Sequence, residues 1–275
     1  MTGLITYQRV IFWGVIFLYL ASWLPIMFGV IFDKERWIPM GVRLSIAGVA
    51  LHLVWVAVRW VQVKHGPYIN LYEVASSNSI IAMIIFLLAQ WKYPKVRILG
   101  IFILPTVFLF MGFGALSVKD PVALSPMLDS SWLVVHVLTA KLTFGSYLIS
   151  CVLAAAYIMK EKGRDSRLLR RFPVNPVNEE LNRKFVTLGF LNHTVMLVSG
   201  SVWANVAFGS YWSWDPIETW SLISWLTYGI FYHLITIHGW KGNRMAWMSV
   251  AALGSVLFAF FCVPYIFVNS HNIFL

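Results

Sequence analysis

The chain has 275 residues, of which 59% are hydrophobic and only 12% charged, and it carries a net charge of +10. Soluble domains carry about 25% charged residues. This composition excludes a soluble enzyme and indicates an integral membrane protein, with room for about eight spans at about 20 apolar residues each. In such a chain the basic excess holds cytoplasmic loops on their own side of the bilayer, and it does not mark a nucleic-acid partner.

The apolar runs predict eight helical spans, at about 10–32, 41–63, 74–91, 97–115, 132–159, 185–204, 218–238 and 246–268. Backbone polar groups in lipid must be satisfied within the segment, so runs of this length are helices. Strict strand alternation is absent, which disfavours an outer-membrane barrel. The expected architecture is all-α and polytopic, a single membrane domain over 1–275. Val10 to Phe32 is longer than a signal-peptide core of about 7–15 residues and reads as a retained span. Cys151 and Cys262 lie inside apolar runs, with no Cys-x-x-Cys pair, and read as packing residues.

Sixteen of the Lys and Arg residues fall in the connections after spans one, three, five and seven; Arg9, Arg59, Lys64 and Lys119 fall on the other side. The positive-inside rule puts the sixteen in the cytoplasm. Both termini then face outward. Half of the sixteen lie in the basic loop 160–184, interrupted by Pro173 and Pro176. Lys141, within span five, reads as a snorkelling side chain. Outside, before span three, lies His65-Gly66-Pro67-Tyr68-Ile69-Asn70-Leu71-Tyr72-Glu73. Gly-Pro marks a turn, and Glu73 falls in the first turn of the next helix, where the macrodipole favours a carboxylate.

The segment 203–220, between spans six and seven, also faces outward. It packs Trp203, Trp212, Trp214 and Trp220 together with Tyr211 and Phe208, and has no Lys or Arg. An interfacial aromatic belt accounts for scattered Trp and Tyr. It accounts less well for a compact cluster with Gly209 and Asp215 among the rings. A flat aromatic surface suits a flat apolar ligand such as a porphyrin. Asp215-Pro216-Ile217-Glu218 reads as a helix start, with Asp at the N-cap, Pro at N1 and Glu at N3. Both acids are then chiefly structural, and the helix N-terminus they build is a place to receive a porphyrin carboxylate.

Depth at about 1.5 Å per residue sorts the histidines. His136, just inside span five, and His271, after span eight, lie at the level of the aromatic segment. They form a candidate pair of axial ligands to a porphyrin iron. His233 lies deep, about 22 Å below the outer surface, where an ionisable group is a functional-site candidate by default. His193 is expected beside it on the neighbouring helix, as a hydrogen-bonded pair. His52 reads as a satisfied interior histidine, and His65 and His238 as interfacial.

These residues resemble a known family. Trp203-Ala204-Asn205, Gly209-Ser210-Tyr211-Trp212-Ser213-Trp214-Asp215-Pro216 and Glu218-Thr219-Trp220 are similar to the tryptophan-rich "WWD" signature of haem-handling proteins. The Trp-Asp-Pro-x-Glu-Thr-Trp form resembles the CcsA/ResC branch, a component of the system II cytochrome c synthase. Gly66-Pro67, Asn70 and Tyr72-Glu73 resemble that family's early external motif, and Ser131-Trp132-Leu133 its approach to the first external histidine. The resemblance covers nearly the whole chain. It departs at Phe208, where the family usually has Trp, and at Ile217, where it often has Lys.

The resemblance implies cytochrome c biogenesis. Haem b would be presented for thioether attachment to the Cys-x-x-Cys-His segment of apocytochrome c. The expected iron ligands are His136 and His271 at the outer site and His233 at an inner site. Trp203, Asn205, Tyr211, Trp212, Trp214, Asp215 and Trp220 would line the cofactor site. A CcsB/ResB-type membrane subunit would be the partner, with thiol-reducing proteins acting indirectly, in an inner or thylakoid-type membrane. The second inner ligand would come from that partner, with His193 as the in-chain rival. Two other readings compete: a haem-transfer protein of the system I route, which a haem chaperone gene nearby would favour, and a transporter, which the scarcity of polar or broken spans disfavours.

Overall fold

A computed structural model describes residues 2–117, 124–162 and 167–267. They form α1 Thr2–Ile31, α2 Trp37–Val63, α3 Leu71–Lys92, α4 Gly100–Gly114, α5 Ser131–Glu161, α6 Arg167–Arg171, α7 Asn175–Phe208, α8 Pro216–Thr236, α9 Gly242–Phe261 and α10 Val263–Ile266. No strand occurs among the described residues. Tyr7–Ile31 of α1, α2, α3, the 3₁₀–α4 segment Pro94–Gly114, α5, α7 and α9 are long and apolar enough to cross a membrane. The chain is an all-α, multi-pass membrane protein.

The expected span missing from these is the seventh, α8, whose 21 residues measure about 32 Å. It falls short on apolarity alone, because Trp220, Trp225, Tyr228, Tyr232 and His233 are large but only partly apolar. The ends of α7 also differ from expectation. It starts at Asn175 and not near 185, so its 34 residues run about 51 Å, well beyond an apolar core of about 30 Å. Arg183 and Lys184 are therefore helical and not part of a loop. An apolar-run criterion stops at the polar turns that helical hydrogen bonding carries through.

The described helices pack as two units, one of residues 1–124 and 165–173, the other of 125–164 and 174–275. In the first, α1 lies along α2 and α3 along α4. Small residues permit the α1–α2 approach: a Cβ on Gly41 would meet Ser22 O at 2.6 Å. Several polar groups in the interior of this unit pair with one another. His52 is buried between Tyr19 Oη at 3.1 Å and Ser76 Oγ at 2.7 Å. Arg59 and Glu73, both fully buried, pair at 2.7 Å, and Glu73 Oε2 also accepts the Ile69 N–H at 3.0 Å. Asn70 Oδ1 accepts the Glu73 N–H at 2.9 Å, so Glu73 is both part of a helix cap and one half of a buried ion pair. His65, expected at the interface, is buried and hydrogen bonds Gly66 O at 2.7 Å.

In the second unit α5 and α7 form the most extensive pairing, with α9 against α5 and α8 against both α7 and α9. Tyr147 and Tyr228 stack at its centre, 3.4 Å between ring centres. Ser150, Asn182 and Ser249 join α5, α7 and α9 through hydrogen bonds. Lys141 is buried in α5 and does not reach out as a snorkelling side chain would.

Candidate functional site

The tryptophan-rich segment begins where α7 stops. Gly209 takes φ +79° and its N–H bonds Asn205 O at 2.9 Å, a left-handed helix end that glycine accepts without strain. The next helix starts as its sequence predicts. Asp215 Oδ1 caps the Ile217 N–H at 2.8 Å, with Pro216 at N1. Glu218 reaches back further than a capping box requires, accepting from Ser213 N at 2.8 Å and Ser213 Oγ at 3.1 Å. Thr219 Oγ1 donates to Trp214 O at 3.3 Å.

These bonds hold Trp214 at φ +61°, where a bulky residue is an outlier and costs about 1–3 kcal/mol. The effect is to turn its ring outward: Trp214 is 69% exposed and Tyr211 59%. Trp212 meets Trp214 edge-on at 5.9 Å. The Trp212 Nε1 atom is shielded from solvent and has no hydrogen-bond acceptor among the described residues.

The other aromatic residues of the segment do different work. Trp203 is buried, and its Nε1 donates to Met127 O at 3.2 Å, tying α7 to the turn before α5. Trp220 is covered in part by Phe258, with ring centres 4.5 Å apart. Asp215 and Glu218 also bear on the carboxylate-receiving site expected at the start of α8. Their oxygens take up backbone donors there, the Ile217 N–H and the Ser213 N–H.

His136 projects from the first turns of α5 onto α7. Its Nδ1 lies 2.8 Å from Met196 O. A carbonyl only accepts, so Nδ1 carries a proton, which in the neutral ring leaves the lone pair on Nε2. The ring lies over Gly200, where an added Cβ would sit 2.5 Å from Nδ1. Gly200 precedes Trp203 by three residues, about one helical turn, so the ring cradle and the Trp203 strut are neighbours on α7.

His193 is not beside His233. It is buried, with its Nδ1 3.4 Å from Tyr147 Oη. It faces the Ser221 backbone near the start of α8 and lies within electrostatic reach of His136. The longer α7 explains the difference: counting depth from 185 placed His193 too near the opposite face. His233 is exposed on the last turn of α8, and the ring it meets is that of His238, 5.1 Å between centres. His271 lies outside the described residues. No group of three or more His, Cys, Asp or Glu side chains suited to a metal occurs among the described residues.

Sequence reasoning missed Gly200, the Arg59–Glu73 pair and the His233–His238 contact. An arginine within an apolar run was a signal for the pair. Nothing local marks Gly200, since its role depends on a residue 64 positions earlier.

Residues 68–269 match the family model described as cytochrome C assembly protein. The chain is 31% identical to "Cytochrome c biogenesis protein CcsA" of Synechococcus sp. (strain CC9902), over 93% of each chain. It is 30% identical to the protein of that name from Prochlorococcus marinus (strain MIT 9515), over 94% of this chain and 90% of the other. Its fold matches the solved structure titled "Cytochrome c Heme Lyase CcmF" with a TM-score of 0.71 at 16% identity, spanning 94% of this chain and 46% of that one. A family match over most of the chain and relatives matched over most of both lengths agree: the chain belongs to the cytochrome c assembly family, as a member of its CcsA group of cytochrome c biogenesis proteins.

Proposed function

We propose that the chain binds haem b at the outer membrane face and holds it for covalent attachment to apocytochrome c. The observation that carries this reading is the His136 ring, its Nδ1 held by Met196 O in a glycine-floored cradle one turn from the tryptophan-rich segment. The residues fit the group in two further respects. Tyr211 and Trp214 offer exposed faces, and the Trp212 N–H is a shielded donor without an acceptor among the described residues. Bound haem supplies the vinyl groups to which the cysteine thiols add.

His136 and His271 would hold the iron of the haem, which would be presented to the incoming Cys-x-x-Cys-His segment. Trp214 and Tyr211 give the stacking surface, with Trp212 donating to a polar edge of the ligand. Trp203, Asn205, Asp215 and Trp220 act through the loop: Trp203 as strut, Asn205 and Asp215 at the two helix ends, Trp220 as the seat on α9. His233 serves an inner haem station whose second ligand comes from a CcsB/ResB-type subunit. The tryptophan-rich segment and both termini face the periplasm or its equivalent, as the basic loops require.

The test is an absorbance spectrum of the chain co-purified with its partner. A bis-histidine haem spectrum is expected. His136→Ala and His271→Ala should each disturb it and abolish cytochrome c maturation. Normal maturation in both variants would sink the assignment.

A further inference from the structure

We propose that the core of the second unit binds a file of internal water, running among α5, α7, α8 and α9 from Asn178 to Ser224. Asn178, Ser224 and Tyr228 are each at most 1% exposed. Asn178 Nδ2, Asn178 Oδ1, Ser224 Oγ and Tyr228 Oη have no hydrogen-bond partner among the described residues. Keeping such groups dry is costly, and bound water is what ordinarily satisfies them. Asn178 also decides the class of ligand. Its amide needs an acceptor and a donor at once, which water supplies and a bare cation or anion does not.

Paired polar groups lie between these three and set the steps of the file. Asn182 Oδ1 accepts from Ser150 of α5 at 2.7 Å and from Ser249 of α9 at 3.4 Å. Asn178 precedes Asn182 by four residues, so it faces the same α5–α9 junction one turn nearer the start of α7. Ser150 follows Tyr147 by three residues, and Tyr147 stacks on Tyr228. Ser224 lies one turn further along α8, in the same direction. Polar groups therefore recur about once a turn over about 16 Å. One water with two hydrogen bonds of about 2.8 Å spans each step. The file meets outside water where α7 begins. There the half-buried Glu179 accepts the Gly242 N–H at 3.1 Å, and a Cβ on Gly242 would lie 3.3 Å from Tyr157 Oη.

The experiment is hydroxyl-radical footprinting of the full chain in detergent, by millisecond X-ray pulses in ¹⁸O-water, with the label located by mass spectrometry. Tyr147 and Tyr228 should take up ¹⁸O at least tenfold faster than Tyr19, which is equally buried but has its hydroxyl on His52. Labelling of both no faster than Tyr19 overturns the proposal. Tyr228→Phe and Asn178→Leu give a second readout. Each would relieve a dry polar group and raise the melting temperature. In a hydrated core each strands a water instead, and the melting temperature should fall by about 2–4 °C. An unchanged or raised value in Tyr228→Phe, which keeps the stacked ring, counts against the file as firmly as absent label does. None of these residues is assigned to haem, so the result is separate from the haem reading.

Discussion

Gly200→Ala tests the cradle without touching a ligand. The added methyl would lie 2.5 Å from His136 Nδ1 and 2.8 Å from Cε1, where ordinary contact begins at 3.4 Å. The ring must therefore retreat by about 1 Å, which takes the 2.8 Å bond to Met196 O beyond hydrogen-bonding range. The lost bond is worth about 0.5–1.5 kcal/mol, and overpacking adds about 1–3 kcal/mol. If about 2 kcal/mol of this falls on the ligated state, haem affinity drops about 30-fold. That is within the range of about 10–100-fold for losing a partner of a metal-ligating histidine. The assay is haem retention by the co-purified complex against a haem-scavenging apoprotein, with the absorbance spectrum recorded throughout. Free imidazole should restore the bis-histidine spectrum, since the defect is the position of one ring. Gly254→Ala is the control: an added Cβ there meets nothing within 4 Å, and alanine gains about 1 kcal/mol of helix propensity. Wild-type retention in Gly200→Ala would refute the cradle.

Three further outcomes are expected. Arg59→Met leaves Glu73 buried without its cation and should cost about 3–5 kcal/mol in thermal unfolding, and Arg59→Met combined with Glu73→Leu should recover most of it; equal loss in both would show that the pair is not the cause. Trp214→Gly should raise stability by about 1 kcal/mol, by removing the left-handed strain, and should lower haem retention; a fall in both would show that the strain argument is wrong. In Gly189→Ala the new methyl would strike the Tyr147 ring, which is backed by Tyr228 and cannot retreat. Unfolding should be easier by about 3 kcal/mol, and an unchanged melting temperature would contradict the packing.

The helices were legible because lipid leaves a spanning chain one secondary structure, so apolar length alone marks each span. Their ends were not, where hydrogen bonding continues past the apolar run. Asn175 to Lys184 of α7 is the case with consequences, since it moved His193 from the level of His233 to that of Ser221. The cap at Asp215 was readable because every bond in it lies within a few residues. The Arg59–Glu73 pair was half-readable: both residues were noted, one as a charge outside the membrane and one as a cap, and only the fold brings them together. The Gly200 cradle needs the register of α5 on α7, which no local pattern encodes.

The same logic separates the tryptophans, which composition treats as one cluster. Trp203 spends its N–H on Met127 O and its ring on the interior. Removing it should loosen the α5–α7 corner and reach the ligand only through His136. Trp214 is held in a strained, outward pose by Glu218 and Thr219 through the loop backbone, so its removal takes stacking surface and leaves the corner intact. Loss of activity in both variants would therefore not identify two contacts to one ligand. The sign of the stability change separates them: a buried strut lost is destabilising, and a strained residue relaxed is stabilising. The two acids belong to the same design. By capping the start of α8 and bonding the loop they make it a clamp, and what they clamp is the ring that faces outward.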